Sequence, residues 1–163
     1  MTIALAAAPE AQASIGVDVA GAGLSFAGRL IFQDVSLTLK AGEWTALLGP
    51  SGVGKTSLLR LIAGLPDDGG VTIGTVRASD GQPLAGRIAY MAQRDLLLPW
   101  LSIIDNVLIG HRLRHHRTSV EDRQKALHLL DQVGLAARAK DRPSALSGGM
   151  RQRVALARTL MED

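Results

Sequence analysis

The apolar run Trp44-Thr45-Ala46-Leu47-Leu48, followed at once by Gly49-Pro50-Ser51-Gly52-Val53-Gly54-Lys55-Thr56, constrains this chain more than any other stretch. A continuous apolar run of this length suits a buried strand. The residues after it satisfy G-x-x-x-x-G-K-[ST] at every fixed position. Leu58, Leu59, Leu61 and Ile62 then recur at helical spacing, and Gly64 with Pro66 stops the helix. Strand, glycine loop and helix succeed one another without a gap, which predicts an α/β fold. The residue types also predict chemistry. Glycines let backbone N–H groups turn inward around phosphates with no side chain in the way, and the positive end of the helix attracts the anion. Lys55 would reach the β- and γ-phosphates, and the Thr56 hydroxyl would ligate Mg²⁺.

Composition narrows the rest. A chain of 163 residues suits one domain. With 47% hydrophobic residues and only 3% aromatics, the core has to be aliphatic. The absence of cysteine excludes a disulfide scaffold and Cys-ligated metals. A formal charge of +3 suits an anionic ligand but falls short of a nucleic-acid footprint, so no nucleic-acid partner is expected. Met1 to Ile15 is alanine-rich, lacks a basic start and is broken by Pro9 and Glu10, so residues 1–14 read as a disordered tail and not as a signal peptide. Leu96 to Ile104 contains Pro99 and is too short to span a bilayer, so membrane association is expected only through a partner.

Elsewhere, Val35, Leu37 and Leu39 alternate with polar residues as a half-buried strand does, and Ala41-Gly42-Glu43 makes a turn. Val71–Val76 and Arg87–Met91 read as further strands. Helices are expected from Ser102 through Gly110, from Ser119 to Gly134, and from Met150 to Met161, the last with Met150, Val154, Ala157 and Met161 on one face. The basic run from His111 to Arg117 reads as a solvated surface loop, with anionic lipid as its second possible contact. Its adjacent histidines cannot easily face one metal ion.

A second motif is Leu146-Ser147-Gly148-Gly149-Met150-Arg151-Gln152. Alone, Ser-Gly-Gly before a helix is either a plain N-cap or an anion site made of backbone N–H groups and a hydroxyl. The pair of motifs, separated by about ninety residues, resembles the nucleotide-binding domain of ABC transporters in its P-loop and signature sequence. The resemblance runs from about Ile15 to the last residue.

That resemblance implies a P-loop NTPase core with an N-terminal antiparallel β-subdomain, a helical subdomain and an incomplete parallel sheet. The partial domain would cover 15–163: β-subdomain and P-loop core over 15–93, helical subdomain and signature loop over 94–147, signature helix over 148–163. ATP and Mg²⁺ are the implied ligands. Gly49, Pro50, Ser51, Gly52, Val53, Gly54, Lys55, Thr56 and Ser57 would hold the nucleotide of one subunit, and Ser147, Gly148 and Gly149 that of its partner. Gln93 matches the Q-loop glutamine, a contact to Mg²⁺ and water; Thr56 would be the other metal ligand. Phe26 falls where the family stacks an aromatic ring on adenine, although a core phenylalanine fits the residue equally well. Arg94 to Leu101 is either a surface for the transmembrane subunit or buried within the helical subdomain.

The implied partners are a second nucleotide-binding domain in a homodimer, a transmembrane permease and, indirectly, a periplasmic or extracellular substrate-binding protein. The implied location is the cytoplasmic face of the inner membrane. The wording Gln93-Arg94-Asp95-Leu96-Leu97-Leu98-Pro99-Trp100 is similar to importers of nitrate, sulfonates, taurine or thiamine precursors. In the family, a strand ending in a Mg²⁺-binding aspartate, a catalytic glutamate and a switch histidine follow the signature helix. They are expected to be missing here, since Glu162 and Asp163 have no apolar strand before them. The chain is therefore read as an importer ATPase subunit in truncated form, inactive alone and with apolar strand surface exposed. A non-catalytic nucleotide-binding or dimerising fragment is the alternative, and a soluble ABC ATPase outside transport is a further one.

Overall fold

The computed structural model describes residues 14–65, 69–115 and 117–162. Most of the expected N-terminal tail, Pro66 at the end of the first helix, His116 and Asp163 lie outside the described residues. The chain forms two compact units, one ending at Ile88 and the other starting at Ala89.

The first unit is built on a three-stranded antiparallel sheet. Strands β1 (Val17–Phe26), β2 (Arg29–Leu39) and β3 (Gly70–Ala78) lie in the order β2-β1-β3. In the register, Val17 opposes Leu39 and Ala78, while Val19 opposes Leu37 and Val76. Alternation puts Val17, Val19, Leu37, Leu39 and Val76 on one face, where they join Leu58 and Ile62 of helix α1 (Lys55–Ile62) in a shared core. Beyond Val19 the ladder slips at a bulge, with Gly21 at φ 59°. Gly74 faces that bulge at φ 87°, and a Cβ there would lie 2.5 Å from the Gly21 carbonyl oxygen. Only glycine fits so close a backbone approach.

Helix α1 stops as its sequence predicts. Gly64 takes φ 67°, Leu65 N–H donates to the Arg60 carbonyl at 2.9 Å and Gly64 N–H to that of Leu61 at 3.1 Å, which closes a glycine C-cap. The other expected strands differ from the outcome. Trp44–Leu48 and Arg87–Met91 carry no strand ladder among the described residues. Trp44 and Leu48 are fully or largely exposed. An apolar run becomes a strand only when neighbouring strands take up its N–H and C=O groups, and no such partner pairs with either segment among the described residues.

The second unit is helical: α2 (Ile103–Val107), α3 (Ile109–His115), α4 (Val120–Gln132) and α5 (Gly148–Leu160). Short 3₁₀ turns at Ala136–Arg138 and Pro143–Ala145 link α4 to α5. Its core joins Ile103, Ile104 and Val107 to Ala126 and Leu130 and to Val154, Ala157 and Met161, all at most 2% exposed. The α5 face is the one its periodicity predicts. Ser119 and Asp122 form a reciprocal capping box on α4, and Gly134 (φ 71°) ends that helix region. Where one helix was expected from Ser102 through Gly110, a turn at Leu108 divides it into α2 and α3.

The basic run is a correction of a different kind. Its stretch His111–His115 lies in α3 and not in a loop, and three of its basic side chains have carboxylate partners: His111 with Asp122, Arg112 with Asp105 and Arg114 with Glu162.

Candidate functional site

The glycine loop runs from Gly49 to Gly54 and opens directly into α1. Gly54 is the N-cap residue, at φ 95° and ψ 11°, and no side chain caps the helix. A helix start without a side-chain cap leaves N–H groups of its first turn for an anion. Glycine at 54 is required twice over. Its φ is left-handed, and a Cβ would lie 2.8 Å from Ile31 Cγ2 and 2.9 Å from Phe32 Cδ1. Ile31 and Phe32 of β2 thus form the floor of the loop. The motif itself gives no hint of that contact, because β2 lies well upstream in the chain.

Lys55 curls back over the loop. Its Nζ donates to the carbonyl oxygens of Gly49 and Pro50, both at 2.7 Å. The ammonium is therefore held at the loop by neutral acceptors, which an anionic oxygen could replace with a stronger, charge-assisted bond. Thr56 is exposed and Ser57 half-buried on the first turn of α1. Phe26, at the end of β1, is half-buried with its ring against Gly70; a Cβ on Gly70 would lie 3.2 Å from both Cε2 and Cζ. All of these residues belong to the first unit.

Gln93 and the Ser147–Gly149 loop belong to the second. Ser147 is the N-cap of α5, and its Oγ accepts from Met150 N–H at 3.4 Å. The capping role is therefore real. It does not account for the glycines. Neither Gly148 nor Gly149 has a positive φ. A Cβ on Gly149 would meet nothing within 4 Å, and one on Gly148 only Arg151 Nη2 at 3.9 Å. The fold of this unit imposes no glycine at either position, so their smallness leaves open space for something outside the unit.

Gln93 is exposed, and its carbonyl oxygen accepts from Gln152 Nε2 at 2.9 Å. The residues after it divide between surface and core: Leu97 is buried, whereas Leu96 and Trp100 are 61% and 66% exposed. The run is thus part surface and part core. Buried Asn106 organises the loop, its Oδ1 accepting from Leu98 N–H at 2.7 Å and its Nδ2 donating to the carbonyls of Leu98 at 3.1 Å and Ser102 at 2.9 Å.

Three residues that motif reading passed over stand out. Asp95 accepts from Leu97 N–H at 3.1 Å and from Arg151 Nε at 3.0 Å. The Leu97 N–H first, and then Arg151, hold its carboxyl below the usual carboxylate range against some desolvation. Arg158 donates to the carbonyls of Asp95 and Leu96, and burial pulls its pKa down while Asp95 and Glu162 oppose that. Their only sequence signal is that Arg151 and Arg158 sit two turns apart on one face of α5. Glu162, just past α5, is engaged by Arg114 and lies against Gly110. It pairs within the second unit and follows the end of α5, with no strand before it.

Among the described residues no group of three or more His, Cys, Asp or Glu could hold a metal ion, and no helix is long and apolar enough to cross a membrane. A hard cation such as Mg²⁺ at this loop would take oxygen ligands, and the Thr56 hydroxyl would be one of them.

Comparison with known proteins agrees with the motifs. A family model described as ABC transporter matches residues 32–163. An aliphatic sulfonates import ATP-binding protein, SsuB 1 of Rhodococcus jostii, is 46% identical over 90% of this chain and 56% of that protein. An uncharacterized ABC transporter ATP-binding protein of Haemophilus influenzae is 47% identical over 86% of the chain and 56% of its own length. A sulfate/thiosulfate import ATP-binding protein, CysA of Brucella melitensis, is 44% identical over 88% of the chain and 42% of its own length. The chain thus spans about half the length of the curated relatives it matches. Among solved structures, the dimeric post-hydrolysis state of the ATP-binding cassette MJ0796 bound to ADP and Pi is similar at a TM-score of 0.73 and 28% identity, over 90% of this chain and 69% of that one. With its glycine loop, its Ser-Gly-Gly cap and a family match over most of its length, the chain belongs to the ABC transporter family.

Proposed function

We propose that the chain is the ATP-binding, energy-coupling part of an importer-type ABC ATPase. One observation carries this reading: the glycine loop enters α1 with no side-chain cap and with the Lys55 ammonium folded over it. That is the form of an anion cradle, and the relatives named above are import ATP-binding proteins.

In this reading, the backbone N–H groups from Ser51 to Ser57 bind the β- and γ-phosphates, and Lys55 leaves its two carbonyls for the γ-phosphate oxygens. The Thr56 hydroxyl would hold Mg²⁺, and Gln93 is the other residue that would serve as a contact to the ion. When bound, the ion draws charge from the phosphate oxygens. Phe26 offers one ring face to the adenine. Ser147, Gly148 and Gly149 approach the nucleotide of a second copy. Their open glycine surface and the dimeric state of the similar cassette support that role. The functional division follows the same lines: 15–93 for the nucleotide, 94–147 for the permease and signature loop, and 148–163 for the signature helix.

Exposed Leu96 and Trp100 supply an apolar contact to a transmembrane permease, which would hold the protein at the cytoplasmic face of the membrane. A substrate-binding protein would act through that permease. Anionic sulfur compounds, sulfonates first, are the substrate class that the relatives' names favour.

The test is Mg·ATP binding and hydrolysis by the purified chain and by the full-length protein, each with a Lys55→Ala control. Lys55-dependent binding by both and turnover by the full-length protein are expected. Binding that is indifferent to Lys55 would overturn the reading.

A further inference from the structure

We infer that Asp95 and Arg151 are positioning residues that join the Gln93–Leu97 segment to the Ser147–Gly149 loop as one mechanical unit. The inference rests on the functional reading above and adds to it a path between two of its parts.

The geometry centres on one side chain. Arg151 donates from Nε to Asp95 Oδ2 at 3.0 Å and from Nη1 to the Leu146 carbonyl oxygen at 3.0 Å. Leu146 immediately precedes Ser147, so the rigid guanidinium fork spans from the Gln93 side directly to the backbone that aims the Ser147 cap. A lysine, with a single nitrogen, cannot hold both acceptors in that fixed plane.

The other end of the link is a strained turn. Leu96 sits at φ 47°, a left-handed conformation that costs a branched side chain about 1 kcal/mol or more. Its neighbours hold it there. Asp95 Oδ1 takes the Leu97 N–H at 3.1 Å, Arg158 donates to the Asp95 carbonyl at 2.6 Å and to the Leu96 carbonyl at 2.9 Å, and Gln152 donates to the Gln93 carbonyl at 2.9 Å. Every one of these donors except Leu97 N–H belongs to α5. The helix that begins at the Ser147 loop therefore grips the segment from Gln93 to Leu96 along its length. Leu96 is 61% exposed, so a contact at the surface can act on that segment. A displacement of Leu96 is transmitted through Asp95 and Arg151 to Leu146 and Ser147, and it need not pass through the hydrophobic core.

The experiment uses the full-length protein with Asp95→Asn, Arg151→Lys and the double variant. Amide hydrogen exchange is followed at Leu97 and across residues 147–150, and ATPase kcat and KM are measured beside it. In Asp95→Asn, exchange at 147–150 should rise about threefold or more together with that of Leu97, although the substitution lies on the other segment. The kcat should fall about fivefold or more with KM for ATP within about twofold, and the double variant should be no worse than the weaker single. Unchanged exchange at 147–150 while Leu97 loosens would overturn the inference, as would effects that multiply in the double variant. If wild-type protein shows no Lys55-dependent turnover, the functional reading fails by itself, and the exchange data still decide whether the two segments are linked.

Discussion

The Lys55 ammonium lies 2.7 Å from the carbonyl oxygen of Gly49, so the loop's own backbone holds the cation that a phosphate would take. This bond lies at a half-exposed site and contributes little to folding. Lys55→Ala should change stability by no more than about 0.5 kcal/mol. It should weaken Mg·ATP binding by about tenfold to a hundredfold, because a charge-assisted bond to phosphate is lost. Thermal melts and a fluorescent-nucleotide titration on the same preparation check both halves.

Two glycines of the candidate site should respond in opposite ways. Gly54→Ala forces a Cβ to within 3 Å of Ile31 and Phe32 at a left-handed φ, so it should destabilise the first unit by about 1–3 kcal/mol. Gly149→Ala enters open space on a helical backbone and should be neutral or stabilising by up to about 1 kcal/mol. If the open surface serves a second subunit's nucleotide, the same variant of the full-length protein should lose most of its ATPase activity. Urea melts paired with turnover assays decide between these outcomes.

Asn106 is wholly buried, with its Oδ1 and Nδ2 both bonded to the 98–102 backbone. Asn106→Ala leaves those backbone groups without their partner and should cost about 2–4 kcal/mol. The loop bearing Trp100 should loosen with it. Chemical denaturation followed by Trp100 quenching would show a lower midpoint and a more accessible indole. An unchanged midpoint would contradict the assigned role.

The Asp95 carboxyl titrates below its ordinary value because the Leu97 N–H and Arg151 favour its charged form. A depressed folded-state pKa contributes stability that is complete above the unfolded value and is lost as pH falls through the folded one. Asp95 should therefore lend nothing to any pH dependence between about pH 7 and pH 5, and its contribution should fade only below about pH 4. A carboxyl-carbon NMR titration of Asp95 with its midpoint below that of a free aspartate is expected. The Asp95→Asn variant should show a shallower acid limb in thermal melts.

The phosphate loop was legible because every requirement it meets is local. Gly49 to Thr56 must turn, offer N–H groups and open a helix, and each of those demands acts on consecutive residues. The cap at Ser147, the helix start at Ser119 and the glycine stop at Gly64 were readable for the same reason. The segments Trp44–Leu48 and Arg87–Met91 were read as strands from their apolar character. Strand state, however, is decided by hydrogen-bond partners elsewhere in a chain, and no local pattern contains them. The run from His111 to Arg117 was read as a solvated loop from its cluster of basic residues. Asp105 in α2, Asp122 in α4 and Glu162 just past α5 supply partners for Arg112, His111 and Arg114.

What the amino-acid order determined alone is therefore the family, the ligand chemistry of the loop and the helix caps at Gly64, Ser119 and Ser147, the last two kinds set by residues close together in the chain. Tertiary structure alone decided why position 54 must be glycine, since Ile31 and Phe32 meet it only after β2 folds under the loop. It decided equally that Gly149 has no such structural reason. It also brought Arg151 to Asp95, a pair far apart in sequence and 3.0 Å apart in space. Short-range sterics and capping can be read from a string of residues, whereas a guanidinium finds its carboxylate only after the intervening helices have packed.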